Sequence, residues 1–241
     1  MSEVAFTKEN LDGYLKALAK EFRKLNGNKT PAEIVLIGGA AILAGYGFRD
    51  MTFDIDALIV ASSAMKDAIG HVADTYNLPH DWLNTDFRRT ASYSDKLFEH
   101  SIYYRTYSNI LTIRIVKAEY LIAMKLLSGR QYKNDLSDIV GILSEHKKNG
   151  TPITREAINS AVTALFGVSV NIPEAAKTLL EDAFSSGDLE TMYRMSRENE
   201  IKSKEALIDF EAHYPGQLRG ENITTILEAA KRKRESLEIK D

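Results

Sequence analysis

Residues 33–60 constrain the fold of this 241-residue chain more than any other stretch. They read EIVLIGGAAILAGYGFRDMTFDIDALIV. An apolar run ends in Gly38 and Gly39, a small-residue helical segment covers 40–46, a turn covers 47–52, and a second apolar run carries Asp54 and Asp56. Short β-branched runs bounded by glycine read as neighbouring buried strands. Side chains alternate along a strand, so Asp54 and Asp56 are expected on one face and Ile55 on the other. Two carboxylates side by side repel each other and are costly as core filling. A hard divalent cation removes that cost, and Mg²⁺ is typically held by one or two carboxylates plus substrate phosphates. A strand that ends in Gly-Gly and opens a helix lets backbone N–H groups approach an anion. The stretch therefore offers an anion cradle and a cation clamp a short loop apart.

A chain of this length buries a sizeable core as one large or two small domains. Its 44% hydrophobic and 27% charged residues are ordinary for a globular protein. A net charge of −3 argues against wholesale coating of nucleic acid, though not against a local basic patch. The absence of cysteine excludes disulfides, thiol catalysis and Cys-based zinc sites, and fits a reducing cytoplasm, which is the expected location. No apolar run is long enough to span a bilayer, and MSEVAFTKEN lacks the layout of a signal peptide, so no membrane partner is expected.

Before the central stretch, Leu11, Tyr14, Leu15, Leu18, Phe22 and Leu25 fall at helical spacing, with Thr7 as N-cap and Gly27 as stop. After it, Ser62 and Ser63 are placed to cap a helix running to about Tyr76. The polar stretch 84–96 reads as a loop. Its Arg88 and Arg89 could meet phosphate, but solvation is the simpler account. Residues 101–107 and 110–116 read as a hairpin about a turn at Ser108 and Asn109.

A second constellation spans 117–143. Tyr120, Leu121, Met124, Leu126 and Leu127 make an apolar helix with Lys125 in its middle. Charged residues are rarely buried unpaired, so Lys125 either snorkels or meets a carboxylate or phosphate. A following helix begins near Asn134 and places Asp135 and Asp138 on one face. One reading is a Lys–Asp tie between two helices, and the other is a role in a functional site.

From Gly150 the remainder reads helical. Helices are expected from Thr154 to Gly167, from Pro173, from Asp188 through Tyr214, and from Asn222 to about Ile239. The basic run Lys231-Arg232-Lys233-Arg234 reads as a solvated helix end rather than an RNA contact, because Glu228, Glu235 and Glu238 dilute it.

The pattern Gly38-Gly39, then Arg49-x-x-Thr52-x-Asp54-Ile55-Asp56, resembles the nucleotidyltransferase superfamily that includes DNA polymerase β, and looks closest to its small bacterial branch related to AbiEii-type toxins. The resemblance covers about residues 30–145. It implies an α/β (α+β) fold, with a small mixed sheet and flanking helices over 1–148 and a helical C-terminal region over 149–241. It further implies that Asp54 and Asp56 bind Mg²⁺ or Mn²⁺, and that Gly38 and Gly39, with Arg49 and Thr52, hold a nucleoside triphosphate. The same branch places a lysine and, in a following element, two aspartates in the nucleotide site. Carried over, these are Lys125, Asp135 and Asp138, and which aspartate participates directly is left open. The implied activity is transfer of a nucleoside monophosphate to a tRNA or protein hydroxyl by a toxin with a cognate antitoxin. Polymerase-like members also carry a third strand carboxylate. Here residues 110–116 offer Thr112 and Arg114 and no acid. That departure motivates an expectation from a different class, a nucleotide- or protein-binding module that kept the fold and lost turnover. A third, weaker reading is a structural partner protein that works through its helical tail.

Overall fold

The computed structural model describes residues 4–27 and 30–238. The leading helix α1 (Lys8–Asn26) starts where a capping box closes it: Thr7 Oγ1 accepts from Asn10 N–H, and Asn10 Oδ1 accepts from Thr7 N–H. It ends at Gly27, whose φ of +61° is the left-handed conformation that glycine adopts most readily. Leu11, Leu15, Leu18 and Phe22 are buried. Leu25, expected on the same stripe, is 40% exposed, because the helix runs past the edge of the core in its last turn.

The sheet is mixed, in the order β5-β4-β2-β7-β6. Strand β2 (Ala32–Leu36) lies at its centre. Apart from the half-buried Glu33 it is buried throughout, as an apolar run predicts for a strand covered on both faces. It pairs antiparallel with β4 (Ile55–Val60) and parallel with β7 (Leu111–Val116). Strand β6 (Ser101–Tyr107) closes one edge as the hairpin partner of β7, and β5 (Leu83–Asn84) closes the other beside β4. The hairpin turn holds Ser108 and Asn109 both at φ +52°, the left-handed pair a tight primed turn needs. The mixed sheet with flanking helices and a helical C-terminal half is the architecture expected from the sequence.

Three short strands were not foreseen: β5, described above, and a separate pair. Strand β1 (Phe6–Thr7) pairs antiparallel with β3 (Met51–Thr52), which pins the turn before Asp54 to the start of α1. Helix α2 (Gly38–Gly45) leaves β2 directly, and α3 (Ala64–Tyr76) follows β4. Ser63 occupies the N-cap of α3 without a side-chain bond, while Ser62 Oγ reaches Asn26 Oδ1 at 2.8 Å instead of capping. Trp82 is buried and donates from Nε1 to Ile69 O, which ties α3 to the irregular stretch after it.

Helices α4 (Ala118–Ser128) and α5 (Asp135–Lys148) pack against each other. The tail supplies α6 (Arg155–Phe166) against α4, α7 (Glu174–Ser186), and α8 (Leu189–His213) against α5. Helix α9 (Ile223–Glu238) packs on α8, and Ile239, where its end was expected, lies outside the described residues. No helix among the described residues is long and apolar enough to cross a membrane.

One contact joins α2, α5 and α8. The ring of Phe48 lies over Gly141 of α5, between Tyr46 and Tyr193. A Cβ at Gly141 would come within 2.5 Å of that ring. Helix propensity favours alanine over glycine by about 1 kcal/mol, while overpacking typically costs about 1–3 kcal/mol. Phe48 is backed by two aromatic rings and cannot retreat freely, so the clash is the larger effect. Gly141→Ala is therefore expected to lower Tm by a few degrees in a thermal melt; an unchanged or raised Tm would show that Phe48 yields.

Candidate active site

The turn from β2 into α2 places Gly38 at φ +54°, with its Cα edge facing Asp56: a Cβ there would sit 3.9 Å from Asp56 Oδ2. No side chain caps this helix start. Like those of any helix start, its first N–H groups lack intrahelical partners, and they lie beside Asp56 of β4. Gly39 is required for a different reason. A Cβ there would meet Thr52 Oγ1 at 2.6 Å and Arg49 Nη2 at 2.9 Å, so the absent side chain is the space that those two groups fill.

From Gly39 the arrangement propagates outward. The Thr52 hydroxyl reaches both Asp54 O and Asp54 Oδ1 at 3.2 Å. Arg49 donates from Nε to Met51 O at 3.0 Å and from Nη1 to Asp138 Oδ2 at 2.6 Å. Asp54 is exposed and stands just before β4, which begins at Ile55, so it belongs to the turn rather than to the strand. Asp56 lies within β4 and is partly buried. Ile37 N–H donates to Asp56 O at 3.0 Å and extends the β2–β4 ladder by one pair. Burial is the largest influence on the Asp56 carboxyl and the nearby negative charge of Asp54 the second; together they push its pKa up to about 6, against the pull of Lys133, Arg130 and Lys125.

The second constellation is one buried ion cluster. Lys125 Nζ lies 2.8 Å from Asp135 Oδ1 and 2.9 Å from Asp138 Oδ2. Both aspartates are almost fully buried. Arg130 donates to Asp135 from Nε at 2.7 Å and from Nη2 at 3.2 Å, and its backbone N–H adds a bond at 3.3 Å. Burial works against ionisation of Asp135, but the Lys125 and Arg130 charges outweigh it and hold the carboxyl well below its ordinary range. Lys125 stays charged, since the two aspartates outweigh its own desolvation. All the ion pairs of this region go to Asp135 and Asp138. Among the described residues, Asp54 and Asp56 have none within ion-pair distance.

Asp54, Asp56, Gly38, Gly39, Arg49 and Thr52 thus converge at one end of the sheet, and Lys125, Asp135 and Asp138 join them through Arg49. Two of Lys125's donor directions already point at carboxylates, so this lysine braces helices as well as carrying charge. Arg130 and Lys133 were not foreseen. The loop between α4 and α5 brings the charges of both to bear on Asp56, and the clue was two cations, Arg130 and Lys133, in the short loop before Asp135. Glu200 on α8 was not foreseen either. It is 3% exposed and accepts from Leu136 N–H and Ser137 N–H, both at 3.0 Å, and from the Ser137 hydroxyl at 2.6 Å. It caps the first turn of α5, the turn that carries Asp135 and Asp138. Burial raises its pKa to about 7 despite those donors. Nothing in the sequence distinguishes Glu200 from its exposed acidic neighbours.

One expectation about peripheral residues holds in its simpler form. Arg88 and Arg89 are exposed on a short 3₁₀ turn (Asp86–Arg89). The β7 register explains the missing strand acid. Leu36 pairs with Ile115, so the residue in the row of Ile37 and Asp56 is Val116, 1% exposed. Arg114, two residues back, turns to Ser101, donating to its Oγ and backbone O at 2.7 Å.

The family described as "Nucleotidyltransferase of unknown function (DUF6036)" matches residues 13–145, more than half of the chain, and the chain belongs to it. It is thus a nucleotidyltransferase-superfamily protein. The matched span ends inside α5, just past Asp135 and Asp138. No curated protein and no solved structure matches the chain.

The raised pKa of Asp56 makes a stability prediction. Its folded value lies above its ordinary 3.8, so its contribution is most favourable while protonated, below about pH 4, and is lost as pH rises through about 6. Ionised Asp56 therefore destabilises the metal-free fold at neutral pH, by on the order of 1–3 kcal/mol. Asp56→Asn removes the charge. Without metal, its Tm should exceed wild type by a few degrees at pH 7.5, and the gap should shrink toward pH 4.5. A gap that is constant with pH would show that Asp56 titrates normally.

Proposed function

We propose that this chain is a metal-dependent nucleotidyltransferase that moves a nucleoside monophosphate from a triphosphate to a hydroxyl of RNA, such as tRNA, or of a protein. One observation carries the reading: among the described residues Asp54 and Asp56 have no ion-pair partner, Asp56 lies beside the glycine turn that opens α2, and the Asp54 charge acts on it. A repelling pair with hard oxygen donors fits Mg²⁺ or Mn²⁺, and the number of protein carboxylates fits a cation that shares its remaining positions with substrate phosphates. When bound, the cation neutralises phosphate charge and polarises the α-phosphoryl group.

The chain's own residues do the positioning. The N–H groups at Gly38 and Gly39 receive phosphate oxygens. Arg49 and Thr52 hold the Asp54 turn in place, and Lys125, fixed by Asp135 and Asp138, contributes positive potential from behind. The acceptor hydroxyl oxygen forms a bond to the α-phosphorus while the bond from that phosphorus to the β-phosphate oxygen breaks. Pyrophosphate leaves, and the hydroxyl proton passes to water. Catalysis rests on orientation and electrostatics, with no covalent enzyme intermediate. The Arg-x-x-Thr-x-Asp-Ile-Asp wording supports a place near the AbiEii-type toxins, in a cytoplasmic pair with an antitoxin. On this reading 1–148 form the transferase unit, and the tail helps to hold the acceptor.

Val116 in the row of Asp56 favours a second reading, a binding module that retains nucleotide affinity without turnover. Incubation with α-labelled triphosphates, Mg²⁺ and total RNA or protein separates the two. The first reading expects label transfer by wild type and a loss of about a hundredfold or more in Asp56→Ala. Transfer that survives in Asp56→Ala would contradict it, and triphosphate binding without any transfer would favour the second.

A further inference from the structure

Helix α8 lies outside the family-matched span, yet three of its polar side chains bond to groups that flank residues of the candidate site. Tyr193 donates from its hydroxyl to Phe48 O at 3.0 Å, and Phe48 immediately precedes Arg49. Arg197 donates from Nη1 to Asn134 Oδ1, and Asn134 immediately precedes Asp135. Glu200 accepts from Leu136 N–H, Ser137 N–H and the Ser137 hydroxyl, all between Asp135 and Asp138. Residues 193, 197 and 200 follow one another at i, i+4 and i+7, so one face of α8 carries all three.

Ordinary helix packing does not account for this face. Asparagine is among the best N-cap residues, yet the Asn134 side chain makes no capping bond to α5, because its Oδ1 is taken by Arg197. The first turn of α5 is capped instead from another helix, by Glu200. Burying a carboxylate is costly, and a leucine in its place would pack α8 on α5 without that cost. Hydrogen bonds are directional, so they fix the position of α8 along α5 where apolar contacts alone would not. What they fix is the two sides of one ion pair. Arg49 reaches Asp138 at 2.6 Å, while Tyr193 holds the residue before Arg49 and Glu200 holds the two residues before Asp138.

We propose that α8 is a splint across the Arg49–Asp138 ion pair, and that Tyr193 and Glu200 are positioning residues for the turn that carries Asp54. The inference rests on the nucleotidyltransferase reading and adds to it two residues that act through Arg49 and Asp138 rather than on the substrate. Arg49 also bonds Met51 O and lies with Thr52 beside Gly39, and Thr52 bonds Asp54, so a displacement of Arg49 passes to Asp54. A misplacement of about 1 Å at a reacting group can cost about a hundredfold in rate.

The test uses the full chain as wild type, Tyr193→Phe, Glu200→Ala and Glu200→Gln, with Glu198→Ala as a control at an exposed acid of the same helix. Two readouts are taken well below Tm: calorimetric affinity for each of the four nucleoside triphosphates with Mg²⁺, and amide hydrogen exchange without nucleotide. Tyr193→Phe keeps the ring that packs on Phe48 and loses only the hydroxyl bond. We expect faster exchange over 47–54 in Tyr193→Phe and over 134–138 in Glu200→Ala, with α1 unchanged in both. Both variants should weaken magnesium-dependent triphosphate binding by about tenfold. Glu200→Gln keeps an oxygen for the two N–H groups and should stay close to wild type, as should Glu198→Ala. Faster exchange in those segments of a protein that binds no triphosphate would keep the splint and remove the transferase reading. Magnesium-dependent binding as tight in Tyr193→Phe and Glu200→Ala as in wild type would overturn the proposal and leave the transferase reading standing.

Discussion

The ammonium of Lys125, held between Asp135 and Asp138, is the interaction from which the geometry of the site follows. Taking these charges out of water is costly, and removing one partner of such a buried cluster typically destabilises by about 3–5 kcal/mol. The cluster therefore exists only with its members in place, which fixes α4 against α5. Asp138 also takes Arg49, so the same anchor sets the turn that leads to Asp54. Arg49 and Thr52 in turn fill the space left by the missing side chain of Gly39. A chain of contacts thus runs from a buried lysine to an exposed carboxylate, each link needing the one before it.

Charge is distributed unevenly along that chain. Asp135 and Asp138 are matched by Lys125, Arg49 and Arg130, while Asp56 lies beside the start of α2 with the charge of Asp54 near it. The first pair is bracing. The second pair carries electrostatic repulsion that a cation would relieve on the proposed reading. Glu200 extends the bracing to the tail: by capping α5 it ties α8 to the turn that bears both buried aspartates. The helical tail thus shapes the site from outside the family-matched span.

Local rules made much of this legible. Thr7 and Gly27 delimit α1 because a capping box and a left-handed glycine are coded within a few residues. The apolar runs around Gly38 and Gly39 fold as adjacent strands because no other structure buries them so compactly. Lys125, Asp135 and Asp138 were readable as a group, since a lysine in an apolar helix needs a partner, although the sequence left open whether the group is a tie or part of a site. Long-range placement was not legible. The pairing of Phe6 with Thr52 joins segments far apart in the chain, and Glu200 differs from other glutamates only by where α8 packs. The position of Asp54 just outside β4 depends on a single residue of strand register, which periodicity cannot resolve.

The central claim is that Asp54 and Asp56 hold a divalent cation against the glycine turn. Metal titration in the presence of a non-hydrolysable triphosphate, comparing wild type with the Asp54→Ala/Asp56→Ala double variant by calorimetry, tests it most directly. The account predicts that the triphosphate binds wild type at least tenfold more tightly with Mg²⁺ or Mn²⁺ than without, and that the double variant keeps its fold and loses the metal dependence. Equal binding with and without metal in wild type, or an unchanged metal dependence in the double variant, would contradict it.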